Sequence, residues 1–325
     1  MRKLIFINFV SVACILIALE LIANFFKLSD ILGIDYDLIE IDKNDNLNFT
    51  YKKNSKGKVH GEIAYIDENG FRIPKDFKGF NKNNSVIFFG DSVTFGNGVK
   101  EKNTFVGKFR EKRNNLNFYN ISLPGYGTFH YTKNLKYLKK LNNVEEFFLI
   151  YCLNDAYLTS NIKIVNKSDN LSFWDKIKKN KIIANINLNL RNKSYLYLYI
   201  KGIATDPSKR WFLADKNLYE KDEILVNLKN DFEKIFKMTQ KNKIKTTVIL
   251  LPYEYQTRKG NCNKSNLNPQ NKVIEILKDL KVDYKDLTRK FCGYLEPKKL
   301  FKKFDPMHLS EIGHNLVFEN LKNEI

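Results

Sequence analysis

The segment Val86-Ile87-Phe88-Phe89-Gly90-Asp91-Ser92-Val93-Thr94-Phe95-Gly96 sets the architecture expected of this 325-residue chain. Four apolar residues end at a glycine, which is typical of a strand buried on both faces of a parallel sheet. Ser92 then stands where a helix begins, in a positive field that favours a developing oxyanion or alkoxide. By itself, the motif is explained equally well by a serine that caps a helix after a turn.

Further apolar runs alternate with helical patterns along the rest of the chain. The runs cover 118–121, 147–151, 246–251 and 282–284, and the helical patterns cover 103–114, 128–141, 221–242, 268–280 and 310–323. Strands that alternate with helices predict an α/β fold with three α/β/α layers and about five parallel strands.

The organisation of the chain follows from the places where this alternation begins and breaks. We expect an N-terminal anchor over 1–27, a linker with a peripheral β region over 28–84, and the main domain over 85–325. The gap between the third and fourth strands exceeds a simple crossover, so residues 157–220 form an insertion. Within it, the segment 190–200 is compatible with either helix or strand.

The first 26 residues favour a transmembrane helix. A basic start, Arg2-Lys3, precedes an almost wholly apolar stretch that is long enough to cross a ~30 Å hydrocarbon core. Glu20 is its one internal charge, and it lies toward the far end, where the cost of burying a charge is smaller. A core helix or a cleaved signal are the alternatives. The basic flank predicts a cytoplasmic N-terminus, with the main domain outside the cytoplasm, periplasmic or extracellular.

Charge and cysteine content restrict the remaining classes of function. The 55 Lys+Arg against 36 Asp+Glu give a net charge of +19, but the lysines are scattered and form no arginine-rich arm or zinc-finger pattern. We therefore expect no nucleic-acid partner. Four cysteines are few for a disulfide scaffold. Cys262 and Cys292 either pair in an oxidising compartment or remain thiols.

Three other segments place polar groups or glycine where the fold predicts an active site. Gly125 follows the second strand, where a backbone N–H can approach a substrate, and Asn154 follows the third, where its amide can donate to an oxyanion. Near the C-terminus, Asp305 and His308 are spaced so that a turn brings the carboxylate to the imidazole. Taken singly, each segment is also compatible with a loop, a capping residue or a surface turn.

Taken together and in this order, the four segments resemble the GDSL/SGNH hydrolases from Ser85 to about Leu321. The resemblance implies a flavodoxin-like SGNH domain with a Ser92–His308–Asp305 triad. It also implies an oxyanion hole from the N–H of Ser92, the N–H of Gly125 and the side chain of Asn154, with Asp91 as structural support. It implies no cofactor.

Two departures from familiar patterns affect this prediction. Cys152 occupies the position at which the third segment usually begins with glycine, and a shifted strand end would weaken the oxyanion hole. Thr94 replaces the second glycine of Gly-x-Ser-x-Gly, which argues against an α/β-hydrolase nucleophile elbow. The other histidines have no partner at a defensible spacing, and no cluster predicts a metal.

The substrate class remains open at this point. We expect an acyl ester, such as an O-acetyl ester, of a glycan or a lipid. An O-acetyltransferase for an exported polysaccharide would use the same triad, and a non-enzymatic glycan-binding protein is a third possibility. Aromatic residues of the insertion either line a sugar or acyl site or form a small local core: Trp174, Tyr195, Tyr197, Tyr199 and Trp211.

Overall fold

A computed structural model describes residues 1–42, 45–80, 82–139, 141, 143–157, 159 and 181–325. The strands of this part of the chain are β1 Ile39–Asp42, β2 Asp45–Tyr51, β3 Ser55–Val59, β4 Glu62–Ile66, β5 Arg72–Ile73, β6 Ser85–Gly90, β7 Asn117–Ser122, β8 Val144–Tyr151, β9 Lys245–Leu250 and β10 Asp283–Asp286. The α-helices are α1 Arg2–Phe25, α2 Ser92–Phe95, α3 Phe105–Lys112, α4 Thr128–Asn134, α5 Lys181–Lys193, α6 Tyr195–Thr205, α7 Pro207–Lys216, α8 Asp222–Lys241, α9 Glu254–Thr257, α10 Asn268–Asp279, α11 Thr288–Cys292 and α12 Glu311–Leu321.

The central sheet has the strand order β10-β9-β8-β6-β7-β5-β4-β3. Strands β6 to β10 pair in parallel, which confirms the predicted α/β fold with five parallel strands. Their order is that of flavodoxin-like sheets, in which ligands bind where the connections change direction, beside the first and third parallel strands. In this chain those strands are β6 and β8.

Aromatic packing joins helices to both faces of the sheet. On one face, Phe88 of β6 stacks on Phe109 of α3, which contacts Phe318 of α12. On the opposite face, Phe89 contacts Tyr131 of α4, and Tyr151 of β8 contacts Phe232 of α8. Successive residues of β6 therefore point into different layers, as the pleat of a strand requires.

The N-terminal β region, residues 28–84, extends the same sheet. Strands β3, β4 and β5 pair antiparallel to one another, and β5 joins the edge of β7 through one register pair, Arg72 with Asn120. Strands β1 and β2 form a separate two-stranded sheet. The region predicted as peripheral thus includes three strands of the central sheet.

The described helices follow the predicted periodicity closely, with one local change. The pattern over 128–141 divides into α4 and a 3₁₀ turn, Leu135–Lys139, because the last turn of a helix often tightens in this way. The ambiguous segment 190–200 is helical and contains the end of α5 and the first half of α6.

Two further features bear on where the protein works. Helix α1 is long and apolar enough to cross a membrane, and the apolar window that meets this criterion is not buried against the rest of the described chain. Cys262 and Cys292 form a disulfide that joins α11 to the segment before α10. Of the two alternatives that the sequence left open for these cysteines, the structure has the disulfide.

Candidate active site

Ser92 and His308 meet at the carboxyl edge of the sheet. Ser92 is the first residue of α2, directly after β6, and its Oγ lies 2.8 Å from Nε2 of His308. His308 comes from a loop before α12, 216 residues further along the chain. The contact has the length of a hydrogen bond between a nucleophile and its base.

Asp305 fixes the other side of the imidazole. Its Oδ2 lies 2.7 Å from Nδ1 of His308, and its Oδ1 accepts hydrogen bonds from the backbone N–H groups of Met307 and His308. Because a carboxylate only accepts, Nδ1 carries the proton, and Nε2 is then the acceptor for Ser92. The Asp-x-x-His turn therefore sets both the position of the ring and its tautomer.

The charges of this pair stabilise each other. Burial alone would raise the pKa of Asp305, but the facing imidazole and the hydrogen bonds from His308 lower it to about 2. Burial alone would lower the pKa of His308, but the charge of Asp305 and its hydrogen bond raise it above the ordinary value. Asp305 is thus ionised at neutral pH, and His308 is a stronger base than a free imidazole.

Asp91 and Asn154 connect the ends of β6 and β8. One oxygen of Asp91 caps α2 by accepting from the N–H of Val93 at 2.8 Å. The other accepts from Nδ2 of Asn154 at 2.7 Å and lies 3.3 Å from Oγ of Ser92. Burial raises the pKa of Asp91, and the hydrogen bond from Asn154 opposes that change. Because Nδ2 of Asn154 and Oγ of Ser92 both lie close to this oxygen, the Asn154 amide lies beside Ser92.

Backbone donors complete the arrangement. Ser92 is the first residue of a helix, so its N–H has no acceptor within the helix. Gly125 has a φ of +88°, a conformation that favours glycine, and it is itself exposed in the loop after β7, although Pro124 and Tyr126 beside it are buried. Among the described residues, no hydrogen-bond acceptor is found for its N–H. Both groups come from the strand ends where the oxyanion hole is predicted.

Cys152 does not disturb the end of β8. The pairing of β8 with β9 continues in register to Tyr151, and the buried Cys152 donates its backbone N–H to Asp155 at 3.0 Å. Burial raises the pKa of the Cys152 thiol well above its ordinary value. The shift of the strand end considered from the sequence is therefore absent at this position, and Asn154 reaches Asp91.

Sequence reasoning missed His60, which packs against His308. Its ring centroid lies 4.9 Å from that of His308 in an edge-to-face arrangement, and Asn97 lies 3.4 Å from its Nε2. Burial, followed by the charge of His308, lowers the pKa of His60 to about 3, so this ring is neutral. His60 and Gly61 form the positive-φ turn between β3 and β4. A hairpin signal locates such a turn but not the group that it faces.

Two more residues of the N-terminal β region support the site. The fully buried Arg72 donates to the carbonyl groups of Phe95, Gly96 and Val99, and so holds the loop that follows the Ser92 helix. Phe49 of β2 packs on Tyr126, and a Cβ at position 125 would lie 3.4 Å from its ring. Neither residue has a sequence signature beyond its strand pattern.

The insertion contributes a residue, Asp215, to the surroundings of Asn154. The hydroxyl of Tyr253 hydrogen-bonds to Asp215 of α7 and lies 3.5 Å from Oδ1 of Asn154. Residues 160–180, including Trp174, lie outside the described residues. A role of the insertion's aromatic residues in lining a sugar or acyl site therefore stays a prediction.

His60, Asp305 and His308 also form a group of potential metal ligands, with one atom of each lying within 4.8 Å of the others. The sequence predicted no such cluster. Both oxygens of Asp305 and both ring nitrogens of His308 already take part in the hydrogen bonds described above. Only Nδ1 of His60 lacks a partner among the described residues, so a metal ion at this place would have to displace the hydrogen bonds that join Ser92, His308 and Asp305.

Comparisons with known proteins give distant structural matches. No protein-family model matches the chain, and no curated protein matches it. A member of the lipolytic G-D-S-L family from Veillonella parvula is 12% identical, with 74% of this chain and 96% of that one covered and a TM-score of 0.42. An acetyl xylan esterase is 17% identical, with 74% and 99% covered and a TM-score of 0.44. A lipase/acylhydrolase from Enterococcus faecalis is 14% identical, with 74% and 96% covered and a TM-score of 0.41.

TM-scores below 0.5 indicate low structural similarity. The interpretation of the fold and of the candidate site therefore depends on features of the chain itself. The sheet has the flavodoxin-like order, and Ser92 bonds to His308, which bonds to Asp305. Gly125 and Asn154 follow the strands on either side of β6. These features agree with the α/β/α fold and with the order of motifs that the resemblance to GDSL/SGNH hydrolases implied.

Proposed function

We propose that this protein is a membrane-anchored serine ester hydrolase that cleaves an acyl ester of a glycan or a lipid outside the cytoplasm. One observation carries the proposal, namely the continuous hydrogen-bond chain from Ser92 through His308 to the buried Asp305. An unassisted serine hydroxyl is a poor nucleophile, and this chain provides the base and the group that orients it.

The proposed reaction has two steps. Nε2 of His308 takes the proton of Ser92 as Oγ attacks the acyl carbon, and the resulting oxyanion is stabilised by the N–H groups of Ser92 and Gly125 and by the amide of Asn154. Collapse breaks the ester bond, and His308 returns the proton to the departing alkoxide. Water then repeats the sequence on the acyl-enzyme, releasing the acid and restoring Ser92.

Two features support the proposed location, namely the basic flank of α1 and the disulfide. Arg2 and Lys3 precede the apolar α1, and lysine or arginine at one flank favours the cytoplasmic side for that flank. The disulfide between Cys262 and Cys292 is of a kind that persists in oxidising compartments. An alkaline phosphatase fused after Ile325 should be active, because that reporter folds only outside the cytoplasm. If a C-terminal fusion were active only with a reporter that folds in the cytoplasm, the proposed orientation would be wrong.

The activity is tested with the full chain in detergent. A panel of acyl esters should be hydrolysed, and a fluorophosphonate should label Ser92, whereas Ser92→Ala should lose both. Adding an acceptor sugar to an acetyl donor separates hydrolysis from acetyl transfer, because transfer yields an acetylated sugar in place of free acetate. An intact, folded protein that neither hydrolyses nor transfers any acyl group, and that the fluorophosphonate leaves unlabelled, would refute the proposed function.

A further inference from the structure

Glu20, the one charge inside the apolar α1, has partners in the insertion. Its carboxylate accepts from the hydroxyl of Ser194 at 2.6 Å, from the N–H of Tyr195 at 2.7 Å and from the N–H of Leu196 at 3.1 Å. These donors form the N-terminus of α6, where unsatisfied N–H groups and the helix dipole favour an anion. Glu20 is therefore a capping residue supplied by a distant helix.

This contact fixes the depth of the insertion relative to the anchor. Glu20 lies five residues before the end of α1 at Phe25, which is about 8 Å along the helix axis. The start of α6 and the end of α5 must lie at the same level. If α1 crosses a membrane, as the proposed function holds, that level is the headgroup and upper acyl region of the outer leaflet.

We propose that α5 and the first turn of α6 lie in the outer interface of the membrane that α1 crosses, and that they contact an anionic lipid bilayer. The apolar side chains of α5 are exposed, and within the described chain none of the residues of this helix is buried. Ile182, Ile183, Ile186 and Leu190 lie within about 100° on a helical projection, which is the width of an apolar face. Such a helix buries this face in the plane of a membrane surface.

The charges of the segment indicate that the surface it contacts is anionic. From residue 181 to 205 the sequence contains no Asp or Glu, but it contains Lys181, Arg191, Lys193 and Lys201. Lysine and arginine near an anionic leaflet each contribute about 1 kcal/mol of attraction. Tyr195 lies where membrane proteins place tyrosine, with the ammonium of Lys27 4.7 Å from its ring centroid.

The far end of α6 connects this lipid-facing segment to the triad loop. Gly202 packs so closely on Phe304, the neighbour of Asp305, that a Cβ at position 202 would clash with the ring. Asp30, just after the anchor, accepts from the N–H of Lys303 at 2.7 Å. The triad loop is therefore attached to the membrane-proximal end of the molecule, and the site should act on esters held close to the bilayer.

The test measures lipid contact at single positions of the full chain. In a Cys14→Ser background, Ile186→Cys and Val226→Cys are each labelled with the fluorophore NBD and reconstituted into vesicles of phosphatidylcholine and phosphatidylglycerol. The two positions are matched, because their side chains are 55% and 57% exposed, but Val226 lies on α8, which packs against α4 and β9 of the main domain. A third sample carries the label on the native Cys14 within α1.

We expect phosphatidylcholine with a headgroup nitroxide to remove most of the fluorescence at 186 and little at 226. Raising the fraction of phosphatidylglycerol should strengthen the quenching at 186 and leave that at 14 unchanged. Equal, weak quenching at 186 and 226 with strong quenching at 14 by an acyl-chain nitroxide would overturn this proposal and leave the anchor standing. Absence of quenching at all three positions would overturn the anchor as well. Quenching at 186 that does not change with the fraction of phosphatidylglycerol would overturn the preference for an anionic bilayer.

Discussion

The strand ends of the central sheet and the N-terminal β region both contribute to the site, but in different ways. The ends of β6 and β8 present Ser92 and Asn154, each within a short polar segment that follows an apolar run. The N-terminal β region instead reaches the site from the side, with His60 against the ring of His308 and Arg72 under the loop after Ser92. The groups proposed to react are thus encoded locally, whereas the groups that hold them in place come from a region with no recognisable motif.

The largest effect expected in this comparison is at the strand ends. Ser92→Ala and His308→Ala should each lower kcat by about 10⁶-fold, and the double variant should be no worse, because the two groups act as one unit. Ester hydrolysis and thermal unfolding of the three variants measure this. A double variant with an additive loss would show that the two residues act separately.

The pH dependence tests the pairing of Asp305 with His308. Because His308 must be neutral to accept the proton of Ser92, kcat/KM should fall as pH drops through the pKa of His308, which lies above its ordinary value. Asp305→Asn removes the charge that raises this pKa, so the acidic limb should move to lower pH. Its kcat should also fall about 10⁴-fold, because the wrong tautomer is favoured. A limb that stays in place would assign the titration to another group.

Asn154 tests the oxyanion hole with a smaller effect. Asn154→Ala removes one donor and should lower kcat by about 10²–10³-fold with little change in KM. Asn97→Ala is a suitable control, because Asn97 is a buried amide near the site that contacts His60 and not Asp91. Equal losses in kcat for the two variants would indicate general damage to the site.

His60 provides the direct test of the N-terminal contribution. His60→Ala leaves space beside His308 and should lower kcat by up to about 10²-fold through misplacement of the base. His314→Ala removes another buried imidazole, whose pKa burial also lowers to about 3, but which contacts Phe105. We expect His314→Ala to lower the melting temperature while kcat of the folded enzyme stays near the wild-type value. The reverse result would mean that His314, and not His60, supports the base.

The smallest effect on chemistry is expected at Glu20. Glu20→Ala removes the acceptor for the first turn of α6 and should destabilise that turn by about 1 kcal/mol. Hydrogen exchange at Tyr195 and Leu196 should accelerate, while hydrolysis of a small soluble ester in detergent changes little. Glu20→Gln, which keeps one acceptor oxygen, should lie between the wild type and the alanine variant. Unchanged exchange in Glu20→Ala would show that Glu20 does not cap α6.

The sequence alone determined the α/β architecture, the parallel strands and the places where polar groups follow them. Periodicity and strand-end motifs are local properties of the sequence. Parallel strands bring their carboxyl ends to one edge of the sheet, independently of the conformation of the loops. Asp305 and His308 could likewise be paired from their spacing, because a turn suffices to join them. The roles assigned to these residues in catalysis stay predictions.

Only the tertiary structure decided which side chains surround these groups. His60 meets His308 across 248 positions because β3 and β4 extend the sheet past β7, and Glu20 meets Tyr195 because α1 packs against α6. Contacts between distant segments depend on how complete elements pack, and no spacing within a single segment encodes them. The sequence could assign Glu20 a cost of burial, but only the fold supplied the helix terminus that offsets it.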